Sequence, residues 1–149
     1  MGRMTAIREM KPEDLAWVTE LERLCFSDPW SETLLAEALA QPLDRLWVAE
    51  EEGRPAGYFD LRIVAGEGEL MRIAVAPGFR GRGLGRKLME KLAETARENG
   101  AQEITLEVRA SNAPAIALYK SMGFQTEAVR KGYYASPAED ALIMWRRRG

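Results

Sequence analysis

Histidine is absent from this 149-residue chain, and cysteine occurs once, at Cys25. The first absence excludes Ser-His-Asp and Cys-His catalysis and histidine-rich metal sites. Any general base must then be Asp, Glu, Tyr or Lys. The second excludes an internal disulfide and a cysteine-cluster zinc site, and Cys25 itself reads as a buried helix thiol. No apolar run reaches membrane-spanning length, and Met-Gly-Arg-Met-Thr-Ala-Ile-Arg-Glu-Met at the start has no apolar signal core. The expectation is a cytoplasmic protein without membrane contact. A charge excess is missing too. With 21 basic against 23 acidic residues the net charge is −2, too small a field to draw nucleic acid. No repeat or linker divides the chain, so one domain over 1–149 is expected.

What the chain does have is glycine, placed at alternate positions in Arg80-Gly81-Arg82-Gly83-Leu84-Gly85-Arg86-Lys87. An apolar run with Met71, Ile73, Ala74 and Val75 precedes it, and a helical pattern follows. Glycine lets a backbone approach a ligand closely, and the amides at a helix start attract phosphate oxygens. The reading is strand, anion-cradling loop, helix, with a diphosphate as guest. A Walker A loop is excluded because Arg86, Lys87 and Leu88 stand where Gly-Lys-Ser/Thr is required. The dinucleotide fingerprint is excluded because the glycines run G-x-G-x-G, one residue short. What remains is Arg-x-x-Gly-x-Gly at Arg80, Gly83 and Gly85.

Periodicity predicts a first strand over Thr5–Met10, then a helix opened by Pro12-Glu13-Asp14 and carrying Leu15, Val18, Leu21, Leu24 and Cys25. Phe26-Ser27-Asp28-Pro29-Trp30 breaks it, and Ser31 caps a second helix. Strands are predicted at Leu46–Ala49, Ala56–Val64 and Glu69–Ala76. A long helix with Leu84, Leu88, Leu92 and Ala96 stops near Asn99-Gly100. Ile104, Leu106 and Val108 mark the next strand, and the strand–helix–strand spacing predicts a parallel crossover. Ser111 or Asn112 caps a fourth helix, and Phe124–Val129 and Ala141–Trp145 close the sheet. The fold class is α/β, a mixed sheet with antiparallel edges, one parallel joint at its centre and flanking helices.

The Arg-x-x-Gly-x-Gly loop resembles the acetyl-coenzyme A loop of the GNAT N-acetyltransferases. Further along, LEVRASN (Leu106–Asn112), AIALY (Ala115–Tyr119) and Gly123-Phe124 resemble one branch, the RimI-type ribosomal-protein alanine N-acetyltransferases. Phe26–Ser31 and Gly132-Tyr133-Tyr134 with Glu139–Met144 match that branch too, so the resemblance spans nearly the whole chain. It implies the GNAT fold, with Glu107 as general base and Tyr119 as general acid. It implies coenzyme A contacts from Ile73, Ala74 and Val75, from Gly81, Arg82, Gly83, Leu84, Gly85 and Arg86, and from Asn112. It also implies acetyl-CoA as co-substrate, no metal, and the N-terminal alanine of the eighteenth small-subunit ribosomal protein as acceptor. Gly132 is a departure, since some relatives carry Asn before the paired tyrosines.

On pattern alone these residues have plainer readings. Glu107 is a polar-face strand residue paired with Arg109 or a neighbouring arginine, Tyr119 packs on the sheet, and Asn112 is a cap. Trp30, Tyr133 and Tyr134 stand between core or rim aromatics and acceptor contacts. Acceptor chemistry separates substrates. An α-amine titrating near 8 costs about 1.4 kcal/mol to present neutral at pH 7, a lysine near 10.4 about 4.6 kcal/mol. One carboxylate suffices for the former, and a phenol can protonate the departing thiolate. The alternatives are a lysine or small-amine acetyltransferase of the same fold, an RNA-binding module built on the Arg-Gly run, and an acetyl-CoA-binding domain without turnover.

Overall fold

The computed structural model describes residues 4–147. Seven strands and four α-helices follow in the order β1 (Thr5–Glu9), α1 (Leu15–Cys25), α2 (Glu32–Ala40), β2 (Asp44–Glu51), β3 (Arg54–Val64), β4 (Glu67–Val75), α3 (Leu84–Glu98), β5 (Glu103–Arg109), α4 (Ala113–Ser121), β6 (Gln125–Tyr134) and β7 (Glu139–Arg146). The strands form one sheet in the order β1-β2-β3-β4-β5-β7-β6. Every neighbouring pair is antiparallel except β4 and β5, so the parallel joint lies at the centre, as the crossover spacing predicts. Two details depart from expectation. Pro12–Asp14 forms a separate 3-10 turn ahead of α1, and β7 inserts between β5 and β6, so the closing hairpin joins the sheet by its second strand.

Side-chain alternation along β3 shows why helices cover both faces. Phe59 and Leu61 join Leu84, Leu88 and Leu92 of α3, Leu106 and Val108 of β5, and Tyr119 and Phe124 in one buried cluster. Tyr58 faces the other way, with Val18 and Leu21 of α1, Leu35 of α2, and Leu46 and Val48 of β2. Successive residues of a strand point to opposite faces, so an unbroken apolar run needs cover on both. Ser31 caps α2 by accepting from the Leu34 N–H at 3.2 Å. Arg8 ties β1 to the start of α1 through a two-pronged pair with Asp14, at 2.8 and 2.9 Å. That guanidinium holds the Asp14 carboxyl down at about 2. Among the described residues no helix is long and apolar enough to cross a membrane.

Asp60 lies in the middle of β3, fully buried on the α1 face. Neither of its carboxylate oxygens accepts a hydrogen bond. Burial, and then the neighbouring Asp44 carboxylate, push its pKa up to about 8. The folded state therefore prefers the neutral acid. Stability from this group is fully present below its unfolded value near 4 and is lost as pH rises through about 8. Asn has the shape of the neutral acid and no proton to lose. Asp60→Asn is expected to match the wild type in urea denaturation at pH 5 and to exceed it by about 1–3 kcal/mol at pH 9. A constant difference between the two proteins across that range would refute this account.

Candidate active site

The parallel ladder between β4 and β5 is short. It pairs Glu67, Gly68 and Glu69 with Glu103, Ile104 and Thr105 and then stops. β4 continues to Val75 and β5 to Arg109, so the centre of the sheet opens into a gap between two inner strand edges. The Ala76 N–H donates to the Ala56 carbonyl at 2.7 Å, and Gly57, Tyr58 and Phe59 stand opposite Val75, Ala74 and Ile73. Antiparallel bonds alternate along a strand, which turns the backbone of Ile73 and Val75 away from β3 and into the gap. An extended chain bearing amides can lie there as a strand would. Ala74 points instead into the core under α1.

The end of β4 leads through a 3-10 turn at Pro77–Phe79 into the glycine loop. Gly81 and Gly83 take φ of +76° and +79°, and a Cβ at either would meet nothing within 4 Å. The demand on both positions is thus conformational, not spatial. Gly83 is the N-cap of α3, and the first helical bond runs from the Lys87 N–H to the Gly83 carbonyl at 3.1 Å. The amides of Leu84, Gly85 and Arg86 are left without intrahelical acceptors, at the positive end of the helix dipole. Their side chains have other work. Arg82 lies over Phe79 at 5.4 Å and near Glu51 at 3.9 Å, while Arg86 donates to the Ser121 hydroxyl of α4 at 2.7 Å. Anion binding therefore falls to the backbone. Asn112 caps α4, its Oδ1 accepting from the Ala115 N–H at 3.3 Å.

Cys25 is the last residue of α1 and is half-buried, not the fully buried helix thiol expected from its surroundings. Its thiol lies 3.5 Å from the Val75 carbonyl, which also accepts from Arg80 Nε at 3.1 Å. Arg80, the first residue of the loop motif, thus folds back to fix the end of β4. Burial pushes the Cys25 thiol up, against the pull of Arg80.

Glu107 sits on the inner strand β5 opposite Ile143 of β7, half-buried on the face that α3 and α4 leave uncovered. Its partner is not Arg109. The Tyr133 phenol is raised in pKa chiefly by its interaction with the Glu107 carboxylate. Arg109 donates instead to the carbonyls of Pro137 and Ala135, at 3.0 and 3.3 Å, and lies 4.3 Å over the Tyr134 ring. It thereby holds the β6–β7 hairpin beside Glu107. Gly132 before the paired tyrosines has φ +61°. Glycine and asparagine are the residues that tolerate that region, so the departure from relatives with Asn keeps the backbone.

The opposite wall is the segment between α1 and α2. Glu22, with no exposed side chain, accepts from Arg72 Nη2 at 2.8 Å, from the Trp30 N–H at 2.8 Å and from the Tyr58 hydroxyl. Arg72 also donates to the Asp28 carbonyl at 2.9 Å and lies 3.7 Å over the Phe26 ring. Burial and the Glu22 charge push the Tyr58 phenol far up, so it remains a donor. Sequence reading missed this knot. Its one signal was a glutamate set among Val18, Leu21 and Cys25 on an otherwise apolar helix face.

Tyr119 approaches from α4. It is buried against Phe124, ring centroids 5.9 Å apart, and burial followed by Tyr134 pushes its phenol up to about 12. Burial first, then Glu107, pushes Tyr134 to about 12 as well. The mutual influence of Tyr119, Tyr134, Tyr133 and Glu107 places them around one slot beside the gap in the sheet.

A sheet opened at its single parallel joint, with free helix-start amides at the mouth of the opening, defines an acyltransferase fold. The chain belongs to the acetyltransferase (GNAT) family, whose model matches residues 16–124. A Bacillus subtilis protein, named provisionally as a ribosomal protein bS18-alanine N-acetyltransferase, is 40% identical over 146 residues, covering 97% of each chain. The crystal structure of the Escherichia coli ribosomal-protein-S18-alanine N-acetyltransferase superposes with TM-score 0.91 at 34% identity, covering 98% of this chain and 95% of that one. A Salmonella typhimurium structure containing acetyl-CoA as its cofactor gives TM-score 0.81 at 26% identity, over 97% and 94% of the two chains.

Two substitutions test the architecture. Valine at position 83 cannot hold φ +79° without strain of about 1–3 kcal/mol. Gly83→Val is expected to weaken coenzyme A binding at least ~10-fold by titration calorimetry while far-UV circular dichroism is retained. Glu22→Ala strands Arg72, whose side chain is only 14% exposed. Urea denaturation should show a loss of about 3–5 kcal/mol; a loss below 1 kcal/mol would mean that Arg72 finds another partner.

Proposed function

We propose that the chain, as one domain over 1–149, moves acetyl from acetyl-CoA to the N-terminal amine of a protein in the cytoplasm, with the N-terminal alanine of ribosomal protein bS18 as acceptor. The observation that carries this reading is the position of Glu107. It stands on the inner strand of the opening, in the slot walled by Phe26–Trp30 on one side and Tyr133 and Tyr134 on the other. The similarity to enzymes named for that acceptor supports the choice of substrate, and the Salmonella structure supports acetyl-CoA as co-substrate.

The residues divide the work. The backbone of Ile73 and Val75 pairs with the amide-bearing arm of the coenzyme, with Ala74 holding the strand down from the core side. The loop from Gly81 through Gly83 to Arg86 presents amides to the diphosphate, and Asn112 flanks it from the start of α4. Glu107 takes the proton that makes the amine nucleophilic, directly or through a water. Tyr119, protonated throughout the working range because its phenol is held up at about 12, donates toward the departing sulfur. Only a modest deprotonation cost of about 1.4 kcal/mol must be met for an α-amine at pH 7. One carboxylate is matched to that task and less so to a lysine, where the cost is about 4.6 kcal/mol.

Incubation with acetyl-CoA and a peptide bearing the ribosomal N-terminus, followed by fragment-ion mass spectrometry, should find acetyl on the α-amine. Acetyl confined to lysine side chains would overturn the substrate assignment. Glu107→Gln should lower kcat by about 10²-fold or more, with KM for acetyl-CoA within about twofold of the wild type. Unchanged turnover from pH 6 to 9 would remove Glu107 as the base.

A further inference from the structure

Glu69 is the last residue of β4 paired with β5, opposite Thr105, at the point where the sheet begins to open. Paired residues of a parallel ladder share a face, and along β5 Thr105, Glu107 and Arg109 share one. Glu69 and Glu107 therefore point to the same side, the side of the acceptor slot. They are separated by one residue pair along β5, a rise of about 7 Å. Leu70, the next residue, is buried in the opposite core with Leu106. Glu69 is exposed. No hydrogen bond or ion pair with it occurs among the described residues, so it has no visible structural duty. Its cross-strand neighbour Arg62 is committed to Asp44 at 2.6 Å.

The proposed reaction rests on Glu107 as base, and its proton balance leaves a remainder. An α-ammonium enters, a C–N bond forms as the C–S bond breaks, and an amide and a free thiol leave. One proton is left over in each turnover. Glu107 receives it and must lose it before the next amine can be deprotonated. Tyr133 and Tyr134 are phenols held in their protonated form, and Tyr119 is buried, so none of them accepts it. We infer that Glu69 is the proton exit of the acceptor site, taking the proton from the Glu107 carboxyl through water at the throat of the gap and passing it to solvent. It is a positioning and relay residue that acts through Glu107.

The charged and titratable groups facing Glu69 are Glu107 on β5, Arg62 and Asp44 on β3 and β2, and Tyr133 on β6. Burial first, and then the Glu107 charge, raises the Glu69 carboxyl above its ordinary value, which brings it closer to a relay's working range.

The test is a set of pH–rate profiles for kcat with saturating acetyl-CoA, comparing wild type, Glu69→Gln, Glu69→Asp and Glu107→Gln. Glu69→Gln is expected to lower kcat about tenfold at pH 6.5, with the deficit shrinking to under twofold at pH 9, where hydroxide and neutral amine make the relay dispensable. Glu69→Asp should recover most of the loss. Added formate should partly rescue Glu69→Ala in a concentration-dependent way. Coenzyme A affinity and the urea midpoint should be unchanged in all the Glu69 variants. A profile superimposable on wild type, or one lowered by the same factor at every pH, would overturn the relay. If Glu107→Gln collapses turnover while Glu69→Gln does not alter it, the relay alone is lost. If Glu107→Gln is itself without effect, the assignment of the base fails and the relay falls with it.

Discussion

The structure depends on one interruption, the end of β4–β5 pairing at Glu69 and Thr105. Closing a central sheet joint would satisfy every backbone group along both strands. Leaving it open strands amides and carbonyls at Ile73 and Val75 that only solvent or a ligand can meet. The opening survives because each strand is held from its outer side, β4 by a long antiparallel ladder with β3 and β5 by one with β7. Arg80 then turns back onto the Val75 carbonyl, so the last exposed acceptor of β4 is spent within the protein. The remaining unpaired backbone is a template for an extended amide-bearing guest, and its far end faces the bare amides of α3. Binding of such a guest to the folded state alone also stabilises it by mass action.

The slot that receives the amine is built at greater energetic expense. A fully buried carboxylate such as Glu22 is costly to desolvate, and replacing an ion pair of this kind by apolar side chains is often neutral or favourable for stability. Its return here is geometric. Through Arg72, the Trp30 amide and the Tyr58 hydroxyl it fixes the Phe26–Trp30 segment at one height above β4. Arg109 does the same on the other side through the hairpin carbonyls of Ala135 and Pro137. Two arginines, one on each inner strand, thus set the width of the slot, where apolar packing alone would let both walls slide.

Much of this was legible in the chain because it is local. Helices and strands followed from periodicity, the αL glycines from their alternate spacing before a helical run, and the caps at Ser31 and Asn112 from side-chain chemistry. The parallel joint followed from the length of the connection. The illegible parts are those that depend on non-local pairing. Nothing in Phe124–Trp145 shows that β7 and not β6 lies against β5. Neither does any residue announce that the β4–β5 ladder ends after three pairs. Glu22 stood out on an apolar helix face, yet its meaning required Arg72, fifty residues away. For Glu107 the nearest arginine in sequence was the wrong partner, since Arg109 is claimed by hairpin carbonyls that only the fold brings near.

The proton inventory of the slot constrains how the proposed chemistry is shared. A phenol near 12 is a weak acid toward a thiolate whose conjugate acid lies near 8.5. Full transfer from Tyr119 would run uphill by more than three pKa units, or roughly 4–5 kcal/mol. Tyr119 is then best placed as a hydrogen-bond donor that stabilises charge while it builds on sulfur, completing the transfer only as the C–S bond breaks. The same elevation ensures that it is never found deprotonated when the thioester arrives. The proton that the amine gives up is a separate proton with a separate path. Burial and apolar packing suit the donor on α4, while exposure at the throat of the sheet suits the group that returns a proton to water. One opening between two strands supplies both environments, dry on the helix side and wet on the acid side, and that asymmetry is what lets a chain without histidine handle two protons in one turnover.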